Sequence, residues 1–176
     1  ARWPTAAGIE CRYLHGSRIA WHQAAMTNLG DYQLGWLLNS QPRVNAEILA
    51  GRLGLSRDHL TGLLASTPAA ELLAHAAWDA ADIQRVAAVL RKESGNIIAL
   101  PEVAARRELG RRFLEQEGLL ENSSWAIVEL GWTGNMMVSL HEALGRPPKL
   151  TAYYLNLSRM SPHLPESVHL ESFAIN

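Results

Sequence analysis

The alternation of apolar and polar positions changes period twice along the chain. In "IECRYLH", residues 9–15, Ile9, Cys11 and Tyr13 alternate with polar neighbours, which predicts a strand ended by Gly16. Ser17 is placed to cap a helix carrying Ile19, Ala20, Ala24 and Met26 to about residue 28, and Trp36, Leu37 and Leu38 mark a short second one. From residue 44 to 99 the spacing is helical. Ile48, Leu49 and Leu53 belong to a helix closed by Gly54; Ser56 caps the next, with Leu60, Leu63 and Leu64. Further helices are expected around 69–77 and 80–93, the latter with Ile83, Val86, Ala87 and Leu90 in line. "SGNIIALP" interrupts them, and 102–118 then forms a long helix ended by Gly118.

The period changes again after that glycine. "WAIVEL", residues 125–130, is continuously apolar with a carboxylate near its end, the pattern of a strand buried on both faces. "GNMMVSLHEALG" predicts a helix with Met136, Met137, Leu140 and Leu144 inward, and "KLTAYYLNL", 149–157, a second strand. Strand, helix and strand with short links make a right-handed βαβ unit of a parallel sheet. The expected fold class is therefore α/β: a single domain over 1–176, with a helical insertion at about 30–118 and a βαβ unit at 119–157. Both ends read as cut, from "ARWPTAAGIE" without an initiator methionine to the apolar "ESFAIN", so a piece of a longer protein is expected.

Composition narrows the partners. With 48% apolar residues in 176 and a net charge of −1, the chain has the means to bury a core and lacks the broad positive footprint of a nucleic-acid binder. One cysteine, Cys11, excludes an internal disulfide framework and suits a reducing cytoplasm; inside a strand it is expected in the core. No stretch is apolar and long enough to span a bilayer.

Candidate chemistry concentrates in "ELGWTGN", residues 129–135. In parallel α/β sheets ligands bind beyond the carboxyl ends of strands, where helix N-termini point. Gly131 and Gly134 allow close backbone approach, and amides from Thr133, Gly134, Asn135 and Met136 would face an anion. The Thr133 hydroxyl adds a donor. Glu129 is placed to contact a sugar hydroxyl, hold a magnesium ion or accept a proton, and Trp132 to cover a sugar or base face or to plug the sheet edge. A plain helix cap is the alternative reading of the same turn. The Walker spacing and its lysine are absent, as is G-x-G-x-x-G.

"VELGWTGN" resembles the phosphate loop of phosphoribosyltransferases, in which two acids end a strand and a Thr-Gly pair opens the helix that holds a 5′-phosphate. Glu129 falls on the second acid and Thr133-Gly134 on the pair, while Val128 replaces the first acid. A wider resemblance spans residues 12–157: "YLHGSRIAWHQAA", "ILAGRLGLS", "RRFLEQEGLLENSSWAIVELGWTGNMMVSLHEAL" and "LTAYYLNLS" are similar to the region following the haloacid-dehalogenase-like domain in large bacterial proteins linked to surface-polysaccharide assembly. That domain's catalytic aspartates are absent, so the resemblance implies no phosphatase. It implies instead a partner domain in the parent protein and places Ser17 and Arg18, at the tip of the first strand, near the phosphate loop across the sheet. Arg18 would clamp a phosphate or carboxylate; alternatively Ser17 is an N-cap and Arg18 a solvated first-turn residue.

Other constellations carry less. Residues 46–66 have the turn glycine, cap and spacing of a helix-turn-helix, yet its second helix presents only Arg57, His59 and Thr61 beside Asp58 and Gly62. The seven histidines form no metal-ligand set, and no G-x-S-x-G elbow is present. His163 and His169, in a proline-bearing tail, are expected to be exposed. The leading expectation is a domain binding a phosphorylated sugar or nucleotide-sugar fragment, with glycosyl or phosphoribosyl transfer as its chemistry if it is an enzyme. A non-catalytic interaction module and a DNA-binding domain are the alternatives.

Overall fold

The computed structural model describes residues 2–3, 9, 11–39, 43–121 and 125–175. Its larger part is helical: α1 (Arg18–Ala24), α2 (Asp31–Leu37), α3 (Ala46–Leu53), α4 (Arg57–Leu64), a 3₁₀ turn (Ala70–Ala74), α5 (Ala80–Lys92), α6 (Ser94–Ile98) and α7 (Pro101–Gln116). Start signals written in the sequence set these boundaries. Ser17, Asn45 and Ser56 each accept a main-chain N–H three residues on, and Asp79 and Asp82 close a reciprocal capping box on α5. Arg52 does the converse at the end of α2, donating to the Trp36, Leu37 and Asn39 carbonyls at 2.8–3.2 Å.

A mostly helical core unites Met26, Leu37, Leu49, Leu53, Leu60, Leu72, Leu90 and Ile97. A second core lies under the sheet and gathers Trp21, Leu114, Met137, Leu140, Leu150, Ala152 and Tyr154. Helices α1 and α7 join the two, and they cross tightly where a side chain on Gly110 would run into Ala24, its Cβ lying 3.2 Å from the Ala24 Cα. In an exposed helix, replacing glycine gains up to about 1 kcal/mol of helix propensity. Here steric overlap wins: Gly110→Val is expected to cost about 1–3 kcal/mol through overpacking, read as a lower urea midpoint at unchanged slope.

The sheet is parallel, in the order β3 (Ile127–Trp132), β4 (Leu150–Leu157), β5 (Val168–Ile175). Helix α8 (Asn135–Ala143) connects β3 to β4. The described residues thus form an α/β fold, and none of their helices is long and apolar enough to cross a membrane.

Four expectations are corrected. The alternating segment at 9–15 contributes only β2 (Cys11–Arg12), paired antiparallel with β1 (Arg2–Trp3) and apart from the parallel sheet; Glu10 lies outside the described residues. Ile9 and Tyr13 are 65% and 63% exposed and Cys11 is an exposed free thiol, because no second layer of described residues packs on this ribbon. Second, β3 is not covered on both faces: Val128 and Leu130 are 77% and 79% exposed. Third, the helix begun at Ser17 ends at Ala24, and the one expected at 69–77 is the short 3₁₀ turn. Fourth, "SGNIIALP", expected to interrupt the helices, itself forms α6; the proline-bearing tail, for which no strand was expected, contains β5, whose partner is β4.

Candidate functional site

β3 and β4 run side by side so that Glu129 lies opposite Tyr154 and Gly131 opposite Asn156. Near their carboxyl ends is a hollow of about 320 Å³ lined by Arg18, Glu129, Leu130, Gly131 and Asn156. Gly131 has φ 150°, and a Cβ there would fall against the Asn156 carbonyl oxygen, so only glycine lets the two backbones come this close. Arg18 begins α1 and is exposed. No carboxylate of the described residues lies within ion-pair distance of its guanidinium. Its charge is felt inside the protein, since it helps to depress the titration of His22.

The hollow also holds an acceptor, the Glu129 carboxylate, and Asn156 forms part of its wall. Asn156 Oδ1 is buried with no hydrogen-bond partner among the described residues. The Glu129 carboxylate acts on the buried hydroxyl of Tyr154, whose ionisation is suppressed first by burial and then by that negative charge. A guanidinium with no carboxylate partner among the described residues, beside one carboxylate acceptor, suits a ligand that is anionic at one end and carries hydroxyls at the other.

The Thr-Gly turn sits just past this hollow and does not line it. Gly134 is buried in the left-handed region at φ 70° and caps α8 without a side-chain hydrogen bond. A Cβ on it would lie 2.8 Å from Leu170 Cδ1 and 3.9 Å from Leu164 Cδ1, so those leucines close the approach. Thr133 is half-buried, Asn135 is exposed, and Met137 is the first α8 amide to reach a carbonyl among the described residues, that of Gly134 at 3.0 Å. The Ser17 hydroxyl accepts from Ala20 N at 3.2 Å and is used as a cap. The backbone of Trp132 pairs with Leu157; its side chain lies outside the described residues. Of the expected site residues, the hollow therefore gathers Arg18, Glu129 and Gly131, and it adds Asn156.

A buried polar cluster anchors the helix that follows. Tyr32 Oη donates to the Asn135 carbonyl at 2.6 Å and sits 2.7 Å from Ser139 Oγ, which is 2.6 Å from His22 Nδ1. His22 stacks on Trp36 with centroids 4.3 Å apart. Burial, with Arg18 and Arg52 nearby, pushes the His22 pKa down to about 4, so the ring is neutral at pH 7. Burial pushes Tyr32 up to about 12. A consistent proton order runs from His22 Nδ1–H to Ser139, from Ser139 to Tyr32, and from Tyr32 to Asn135. Ser139 is fully buried, which makes this serine–histidine contact a structural tie between α1, α2 and α8 rather than a nucleophile. Sequence spacing gave no sign of it.

Elsewhere, α3 and α4 do form a helix–turn–helix pair, but Arg57 faces Glu47 at 4.0 Å and His59 Nδ1 meets Glu102 at 2.9 Å, so each basic side chain of α4 already stands beside a carboxylate. His163 and His169 are exposed. Among the described residues no group of three acidic, histidine or cysteine side chains could hold a metal. No protein-family model matches the chain, and no curated protein matches it.

Proposed function

We propose that the hollow between Arg18 and the carboxyl end of β3 binds a small phosphorylated sugar or a nucleotide-sugar fragment. The observation that carries this reading is the placement of an exposed guanidinium, without a carboxylate partner among the described residues, in the same hollow as a glycine-lined strand end. Arg18 takes the phosphate, the Gly131 main chain allows close approach, Glu129 accepts from a sugar hydroxyl, and Asn156 walls the hollow. Among the described residues Glu129 is the one carboxylate lining the hollow, which favours binding over chemistry that needs an acid–base pair. In this reading 127–157 is a phosphoribosyltransferase-like core, and the parent protein is a cytoplasmic one serving polysaccharide assembly, as the resemblance over residues 12–157 implies.

Calorimetric titration with ribose 5-phosphate, phosphoribosyl diphosphate and a nucleotide sugar, each with and without magnesium, tests the reading. Saturable binding is expected, and Arg18→Met is expected to weaken it about 10- to 100-fold, the worth of a charge-assisted contact of about 1.5–3 kcal/mol. Equal affinity in the variant would overturn the role of Arg18, and no saturation with any of the three would overturn the reading.

A further inference from the structure

Parallel sheets normally lie between two layers, because their strands are apolar on both faces. Among the described residues the sheet here has one layer. Side chains of Leu150, Ala152, Tyr154 and Val168 point into the second core, under α8. The link from β4 to β5, residues 158–167, runs on that same side, where Leu164 joins the core and His163 meets the Tyr32 ring at 5.5 Å. The opposite face carries Val128, Leu130, Leu155 and Phe173, which are 77%, 79%, 58% and 80% exposed.

Register makes these a continuous patch. Val128 aligns with Tyr153 and Tyr153 with Glu171, and the next row outward brings Leu130, Leu155 and Phe173 across all three strands. Toward the amino ends of the strands the face turns polar, with Thr151 beside His169. The four bare side chains present roughly 500 Å² of apolar surface, near the upper end of what monomeric proteins leave exposed.

We propose that this face is the contact surface of a homodimer, in which two copies stack sheet on sheet about a two-fold axis. Area and charge select a second copy as the occupant. With the flanking Thr151, Tyr153, His169 and Glu171 the face approaches the roughly 800 Å² per partner of a standard-size interface. Its charge is self-compatible: His169 Nε2 lies 3.1 Å from Glu171 Oε1, so Glu171 has a partner within its own chain, and the whole chain carries only −1. Two such faces can approach without repulsion and pack about 10 Å apart, as in stacked sheets. A two-fold axis through β4 sets that central strand over its own equivalent, which keeps the row around Leu155 inside the contact.

Light scattering after gel filtration, from about 1 to about 100 μM, reads the result, a span chosen because interfaces of this size start at micromolar affinity. The chain is expected at twice its 19.4 kDa mass at the upper concentrations. Leu155→Glu and Phe173→Glu, both at exposed positions and therefore compatible with folding, are expected to return it to the single-chain mass with an unchanged circular dichroism spectrum. Leu109→Glu, at a 63% exposed leucine on α7, is expected to leave the dimer intact. A single-chain mass throughout would overturn the proposal, as would a dimer that survives both sheet-face variants or is lost with Leu109→Glu.

Discussion

Gly131→Ala is expected to destabilise the protein by about 4 kcal/mol, placing it among the few exceptional single substitutions. Two effects add. At φ 150° an alanine occupies backbone space that L side chains rarely adopt, costing on the order of 1–3 kcal/mol. Its methyl group would also overlap the Asn156 carbonyl oxygen, part of the neighbouring strand's backbone, and a strand held in a sheet cannot yield as a side chain does. Gly134 supplies the internal comparison. Its φ of 70° is also left-handed, but the atom in the way there is Leu170 Cδ1, the far end of a flexible side chain. Gly134→Ala is therefore expected to cost about 1–2 kcal/mol, the price of a left-handed L residue. Urea unfolding of both variants checks the order; equal losses would show that the closeness of β3 to Asn156 is not what fixes Gly131.

Acidification from pH 6.5 to pH 4 is expected to remove about 3 kcal/mol through His22 alone, since each pH unit of separation is worth about 1.4 kcal/mol. The sign follows from the direction of the shift. Folded His22 titrates near 4, below its usual 6.5, because burial disfavours the cation and Arg18 and Arg52 add to that. Above pH 6.5 both folded and unfolded chains hold the ring neutral, and nothing is lost. Between 6.5 and 4 only the unfolded chain takes up the proton, so stability falls as the pH falls. Only 2% of His22 is exposed, so solvent does little to screen the effect. The acid limb separates from this in pH: paired with Arg111 and Arg112, Glu108 is held down to about 2 and protonates only below its ordinary carboxylate range. Unfolding followed from pH 7 to 4 should slope downward, and His22→Phe should flatten that slope even though it lowers stability at pH 7. A variant with the wild-type slope would assign the acid sensitivity elsewhere.

How far these features could be read in advance depended on whether a residue's meaning was local. The βαβ unit was legible because continuous apolar runs bounded by Gly131, Gly134 and Pro147 leave few alternatives. The α5 helix was legible from the spacing of Ile83, Val86, Ala87 and Leu90. The alternation of Ile9, Cys11 and Tyr13 is real, but alternation reports a face and not whether anything covers it. For the same reason the apolar run of β3 misled: Val128 and Leu130 carry the pattern of a two-sided strand while one side stays bare. β5 was hidden by the prolines before it, since nothing local reveals that its partner is β4.

At the site, Arg18, Glu129 and Gly131 could be named because each belongs to a turn or strand end with a recognisable role. Asn156 could not. An asparagine inside an apolar strand gains meaning only when register sets it opposite Gly131. The tie between His22 and Ser139 spans 117 positions, and no spacing argument reaches that far.

The central claim is that Arg18, Gly131 and Asn156 form one anion-binding hollow at the end of β3. It is tested most directly by following main-chain amide and arginine Nε–H resonances during titration with ribose 5-phosphate. The account predicts saturable shifts confined to Arg18, Glu129, Leu130, Gly131 and Asn156, with one common dissociation constant. Shifts that never saturate, or that saturate at residues of another surface while these five stay still, would contradict it.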